Sequence, residues 1–356
     1  MTEKSIKLLH KDGKQEEIEL DDDEESLELV GKGIVEADLS NLQDAPNLVS
    51  LDLGSNKLEK IDLTPLISCP NLSKLSLFKN HIPDLDITPL GKCRNLSELN
   101  LGSTGRKEIN LAPLKSVPLK RLRLFSNELS KIDLGQLSGI TTLEILELEN
   151  NHLSKIDLSP LSNCAELLQI NVMYNEIASL DLAPLAKCEK MKFLYLHHNV
   201  LREINLGPAA NWKDLRILRL GGNELESIDL TPLSNAHELR RLGLAMNRIS
   251  RLDLEPLSNC PELRALDVAG NRLRELDLGP LRNCKALEEL YLYSKHPEEN
   301  EFETLDISPI FNCADLEDFG VPSDTELTAR STLKKKKNIP YAIEELVEDK
   351  RIRWTD

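Results

Sequence analysis

Three sets of residues in this chain have the types and spacing that chemistry uses. His197 and His198 stand side by side behind Phe193 and Tyr195 in the stretch FLYLHHN, and paired imidazoles can hold a metal ion. Seven cysteines, Cys69, Cys93, Cys164, Cys188, Cys260, Cys284 and Cys313, are candidate thiolate ligands. Nine aspartates, Asp62, Asp86, Asp133, Asp157, Asp181, Asp229, Asp253, Asp277 and Asp306, could form a ladder of carboxylates for calcium. Each set is weak as a site. Adjacent side chains on an extended strand diverge, so the two histidines are not expected to share an ion. No CxxC pair exists, and the cysteines lack companion ligands. Phosphate-loop, HExxH and GxSxG motifs are absent from the sequence. The expectation is a protein that is not an enzyme and uses no metal or cofactor.

A repeat accounts for the spacing. Asn56, Asn80, Asn127, Asn151, Asn175, Asn199, Asn223, Asn247 and Asn271 are 24 residues apart except for one gap of 47, which Thr104 divides into a 24- and a 23-residue unit. The frame is LxxLxLxxNxL, as in LEILELENNHL from Leu143 and LRRLGLAMNRI from Leu239. It recurs eleven times from Leu48, with a degenerate unit at each end, SLELVGKGI and LEDFGV. The LxL alternation turns two leucines inward on a short strand, and stacked units pair such strands in parallel. The Asn turns the chain, and its amide can serve backbone groups that the turn leaves orphaned. The Asp at repeat position 15, with Asn110 and Asn205 completing the column, suits an Asx-turn. The Ser-Pro or Thr-Pro that follows reads as an N-cap and a first-turn proline. All seven cysteines fall at position 22, once the insert before Cys313 is removed, which marks a small buried residue.

This pattern resembles the leucine-rich repeat family. The IDLSPLxxC half is similar to regular repeat proteins of archaea and protists, and the first half to the phosphatase-regulatory type. The resemblance implies an α/β solenoid: a curved horseshoe with a parallel β-sheet on its concave face and short helical or 3-10 returns on the convex side. It also implies a protein or peptide partner on the concave surface and a regulatory or scaffold role.

In that frame repeat positions 3, 5 and 7 face out from the strands. Six of the chain's 13 aromatic residues occupy those positions: Phe78, Phe125, Phe193, Tyr195, Tyr291 and Tyr293. Met173 and His197 share the face, and Tyr174 and His198 end the strands. Charges gather there too, with Arg123, Glu147, Glu149, Arg219 and Arg241 completing the candidate partner-binding set. Tyr and Arg are the residue types most often found as binding hot spots. A second reading uses the Arg216, Arg219, Arg240 and Arg241 cluster, with ring stacking, for a phospholigand or nucleic acid. The net charge of −16 opposes nucleic acid.

Residues 1–23 are expected to form a β-hairpin cap, 24–321 the solenoid, and 322–356 a basic linker with a capping helix. The hairpin spans SIKLLHKDGKQEEIEL, and the helix should share a face of Ile343, Leu346 and Val347. Lys334 to Lys337 read as a solvated linker. Arg106 stands where a leucine belongs, and an acidic insert, 295–304, interrupts the last full unit. No apolar run reaches the length of a membrane span and no signal peptide is legible, so a cytoplasmic, monomeric protein with reduced thiols is expected.

Overall fold

The computed structural model describes residues 5–21, 23–294 and 299–356. Residues 1–4 of the expected cap, and Lys295, His296, Pro297 and Glu298 of the expected acidic insert, lie outside these. The chain forms two compact units, Met1–Glu176 and Ile177–Asp356. Repeats that touch only their neighbours give an array no central core, so division near its middle suits the architecture.

Both units are parallel α/β solenoid. In Met1–Glu176, the strands Ser26–Glu28, Ser50–Asp52, Lys74–Ser76, Glu98–Asn100, Arg121–Arg123, Ile145–Glu147 and Gln169–Asn171 pair in chain order. Their central residues align across the ladder, from Leu27 beside Leu51 to Leu146 beside Ile170. The 23-residue repeat keeps this register, with Leu99 opposite Leu122. In Ile177–Asp356, the strands Phe193–Tyr195, Ile217–Arg219, Arg241–Gly243, Ala265–Asp267, Glu289–Tyr291 and Asp318–Gly320 pair the same way. The leucines at positions 4 and 6 are sealed, as at Leu194 and Leu196 (0% exposed each). Positions 3, 5 and 7 are left on the outer face of each sheet.

The asparagine column works as a brace. Asn223 donates through Nδ2 to the carbonyls of Leu220 at 2.9 Å and Leu196 at 3.1 Å, while its Oδ1 accepts the Leu201 N–H at 3.0 Å. Each such asparagine thus satisfies its own turn and the turn one repeat earlier. Where Thr104 replaces it, the hydroxyl donates to Leu101 O at 2.9 Å, and the Ile82 N–H goes instead to the backbone oxygen of Thr104. Arg106, two residues on, is buried, and both its terminal nitrogens donate to Leu85 O at 3.1 Å. Asn300 fills the same column after the insert, accepting from Leu273 N and donating to Val268 O and Leu292 O. The insert therefore leaves the repeat between the strand end and the asparagine, and Asn300 restores the frame.

The returns are 3-10 helices, and their caps differ from expectation. In Thr64–Ser68 the residue before the helix, Leu63, occupies the cap position, and no side chain caps from it. The Thr and Pro begin the helix itself. The carboxylate of Asp62, two residues upstream, accepts the Thr64 N–H at 2.9 Å. Asx-turns of this kind recur through the whole column, Asn110 and Asn205 included. A serine or threonine hydroxyl is too close to the helix start to reach its free N–H groups, and the aspartate is placed to do so. The cysteines are buried and unbridged at the ends of the returns, and Cys164, for example, donates its thiol to Ile140 O of the preceding repeat at 3.1 Å. Trp212 occupies the same slot and donates its indole N–H to Leu185 O at 3.1 Å. Burial pushes the Cys69 thiol up to about 11 and those of Cys260 and Cys313 up to about 12.

The ends are more elaborate than hairpin and helix. Ser5–His10 and Gln15–Glu19 pair antiparallel, and Ile34–Asp38 adds a third strand against the first. At the other end Thr304–Asp306, Glu326–Arg330 and Ile352–Thr355 form a separate parallel sheet. The helix spans only Tyr341–Glu348, and the chain after it forms the last strand, Ile352–Thr355. It buries Ala342 and Ile343, whereas Val347 is 37% exposed. Within the expected solvated linker, Lys334 and Lys335 belong to the 3-10 helix Ser331–Lys335. Lys336 Nζ donates to Phe311 O at 2.6 Å, and Lys334 lies 5.5 Å over the Trp354 ring.

Candidate functional site

On Met1–Glu176, Phe78 and Phe125 come from position 7 of alternate repeats. Gly102 holds that position between them, and their ring centroids approach to 5.5 Å. A Cβ at Gly102 would lie 2.6 Å from the Phe125 ring, so the absence of a side chain is what lets the rings meet. Beside them Arg123 Nε donates to Glu147 at 2.8 Å, and Gln169 donates to the other Glu147 oxygen at 3.0 Å. Burial pushes the Glu149 carboxyl up to about 7; its own backbone N–H opposes the shift, neighbouring Glu147 adds to it, and Arg123 opposes it. Met173 follows Asn171, whose Oδ1 accepts the Met173 N–H at 3.2 Å. Tyr174 is 49% exposed.

On Ile177–Asp356, Phe193, Tyr195, His197 and His198 form a chain of rings. The Phe193 and Tyr195 rings are nearly parallel at 6.4 Å, Tyr195 and His197 meet edge-on at 6.3 Å, and His197 and His198 do so at 5.5 Å. The expected divergence of the two histidines is corrected here. His198 has left the extended conformation (φ 55°), which turns its ring back toward its neighbour. Even so, no group of three or more His, Cys, Asp or Glu among the described residues is arranged to hold a metal ion. Burial pushes His197 down to about 4, with His198 and Arg219 adding to the shift, so the imidazole is neutral at physiological pH.

These histidines wall a cleft of about 240 Å³ on the sheet face. Its floor is Gly221, Gly243, Ala245 and Ala265; Met246 and Tyr291 stand at its margins. Charged residues line it in opposite signs. Arg241 is held by both oxygens of Glu289 at 3.3 Å. The Asp267 Oδ1 accepts the Ala269 N–H at 3.2 Å, and burial raises its carboxyl above the ordinary range, against the pull of that N–H and of Arg219. Arg219, the register partner of Tyr195, is exposed and makes no ion pair among the described residues. Tyr291 donates to Asp318 at 2.6 Å.

The structure brings His197, His198, Arg219, Arg241 and Tyr291 together. Phe193 and Tyr195 adjoin the histidines. Tyr293 lines a different depression with Glu299, Glu301 and Glu303. Arg216 and Arg240 do not line the cleft, so the expected four-arginine cluster is not one site. Gly221, Gly243, Ala245, Ala265 and Asp267 were not among the residues singled out from sequence. Their signal was legible: three consecutive repeats carry small residues at positions 3, 5 or 7, where neighbours carry rings and charges.

A leucine-rich repeat family model matches residues 141–201 and 237–295. The matched stretches are the strand, asparagine and return units just described. The chain is a leucine-rich repeat protein. Solved structures of such proteins resemble it along most of its length. An internalin from Listeria monocytogenes is 25% identical over 93% of this chain and 86% of its own, with a TM-score of 0.68. A Leptospira interrogans leucine-rich repeat protein is 21% identical over 89% and 74%, with a TM-score of 0.71. The ectodomain of the Arabidopsis receptor kinase HAESA, solved with an IDA peptide hormone, is 24% identical over 79% and 47%, with a TM-score of 0.65. A comparison with curated proteins finds no match. Among the described residues no helix of this leucine-rich repeat protein is long and apolar enough to cross a membrane.

Proposed function

We propose that this protein is a non-catalytic interaction module, a regulatory or scaffold subunit of the cytoplasm, that binds a protein or peptide on the outer face of its parallel sheet. The observation that carries the reading is the cleft in Ile177–Asp356, where a glycine and alanine floor lies between histidine rings and Tyr291. A preformed recess on a rigid ladder lowers the ordering cost of binding. The HAESA ectodomain, of the same fold, was solved with a peptide bound. Seven unbridged thiols suit a reducing compartment. A phosphate-binding role is disfavoured by the pairing of Arg241 with Glu289 and by the carboxylate of Asp267 in the same recess.

Filling the cleft tests this. Gly243 is the floor position that accepts a side chain without strain: a Cβ there comes no closer than 3.7 Å to any atom, whereas at Gly221 it would lie 2.9 Å from Ala245 O. Gly243→Phe should fold as the wild type by circular dichroism and lose partners that the wild type captures by crosslinking in its native lysate. Retention of every partner by the filled variant would refute the assignment of the site.

A further inference from the structure

The cleft's size and charge balance also say what kind of group it accepts. At about 240 Å³ it is smaller than the roughly 300–1,000 Å³ of sites that enclose a drug-sized molecule. It has room for one large side chain. The floor offers backbone and methyl groups at Gly243 and Ala245, against which a ring face can pack. At the margin, Met246 is 38% exposed and carries a thioether, a favourable neighbour for a ring edge. The charges cancel: Arg219 and Arg241 are matched by Asp267 and Glu289. An acidic group entering the cleft would meet two carboxylates, and a basic one two guanidinium groups. A neutral group meets neither penalty. Asp267 spends one oxygen on Ala269 N–H and, as a carboxylate, keeps capacity for a further donor. Arg219, free of ion pairs among the described residues, can lie over a ring face.

We infer that the cleft receives a single aromatic side chain with a hydrogen-bond donor, a tyrosine or tryptophan of the partner, its ring on the Gly243–Ala245 floor and its O–H or N–H on Asp267. This rests on the reading of the face as an interaction surface. It adds that the anchor is neutral, aromatic and donor-tipped.

The test uses the full chain and side-chain analogues as probes: p-cresol and 3-methylindole, with toluene, propionate and n-butylammonium as comparisons. Binding is followed by protein-observed NMR. The donor-bearing rings should shift resonances of His197, His198 and Gly243 and bind about tenfold more tightly than toluene, the margin of a hydrogen bond to a charged acceptor. Asp267→Asn should bring p-cresol close to toluene while leaving toluene unchanged. Gly243→Phe should abolish binding of both, which keeps the test informative should the Asp267 variant fold poorly. Equal binding of toluene and p-cresol, tighter binding of propionate or n-butylammonium, or p-cresol binding that survives Gly243→Phe would overturn the inference. If p-cresol does not bind but Gly243→Phe still loses captured partners, the aromatic anchor is refuted and the interaction surface stands. If Gly243→Phe keeps every partner, the surface itself is refuted.

Discussion

Replacing Asn223 with alanine removes one rung of the asparagine brace, and the hydrogen bonds around it set the size of the effect. The Leu201 N–H loses its acceptor outright. The carbonyls of Leu196 and Leu220 each lose one of two donors, because Asn199 also donates to Leu196 O and Asn247 to Leu220 O. One fully orphaned buried N–H costs about 1–3 kcal/mol, and each lost bond to a still-served carbonyl about 0.5–1.5 kcal/mol. The expected destabilisation is about 3 kcal/mol. Threonine should recover part of it, since Thr104 makes the own-repeat bond to Leu101 O with its hydroxyl. It should not recover the Leu201 bond, because in the Thr104 repeat the equivalent N–H is served by a different backbone path. Urea denaturation of wild type, Asn223→Ala and Asn223→Thr reads all three. A loss under about 1 kcal/mol for alanine, or a threonine variant no better than alanine, would show that water or backbone relaxation serves the turn and that the brace is dispensable.

Titration should act on the protein in two opposite directions. The hydroxyl, and then the N–H, of the threonine two positions on hold the carboxyls of Asp62, Asp86 and Asp229 below their ordinary 3.8. Their folded-state values are depressed, so their contribution is present above 3.8 and is lost as pH falls through the folded values; denaturant midpoints should drop on acidification below pH 4. Glu149 is raised from 4.5 to about 7, so the folded state binds the extra proton and stability declines as pH rises between those values. Glu149→Gln should therefore raise the melting temperature at pH 8 and change it little at pH 4; an equal effect at both pH values would refute the burial argument. The described thiols are buried, so a disulfide reagent such as Ellman's should label them only on unfolding, all seven together; rapid labelling of any one in the native protein would contradict its placement.

The sequence made the ladder legible because each repeat applies the same local rules eleven times, and errors of reading cannot accumulate when the period corrects them. Inward and outward faces, the buried cysteine slot and the Asx-turn at position 15 all follow from spacing alone. The caps were less legible because they occur once. Nothing local to Ile34–Asp38 or Ile352–Thr355 says that each pairs with a strand distant in sequence. The helix start was misread for a different reason: Ser-Pro and Thr-Pro are genuine start signals, but the shorter 3-10 turn moves the cap onto a neighbouring residue. The cleft was hidden by attention to what side chains add. A recess is made by residues that add nothing, such as Gly243, and reveals itself only when the row is read for absences.

Position 8 of the repeat has a left-handed backbone throughout the series, from Ser55 to Gly270, with φ between 52° and 64°. Two members, Gly222 and Gly270, adopt it freely, whereas Tyr174, His198 and Met246 do so against a cost of about 1–2 kcal/mol each. The same turn swings those side chains off the strand face to its rim. The protein therefore carries two rows of outward residues that differ between repeats: one along the strands, under the constraint of ladder packing, and one along the rim, where glycine would be the most economical choice and any other residue trades foldedness for a readable side chain. Engineering new specificity should begin on the rim, where exchange leaves the leucine core untouched, and stabilising the scaffold should begin there as well, with glycine.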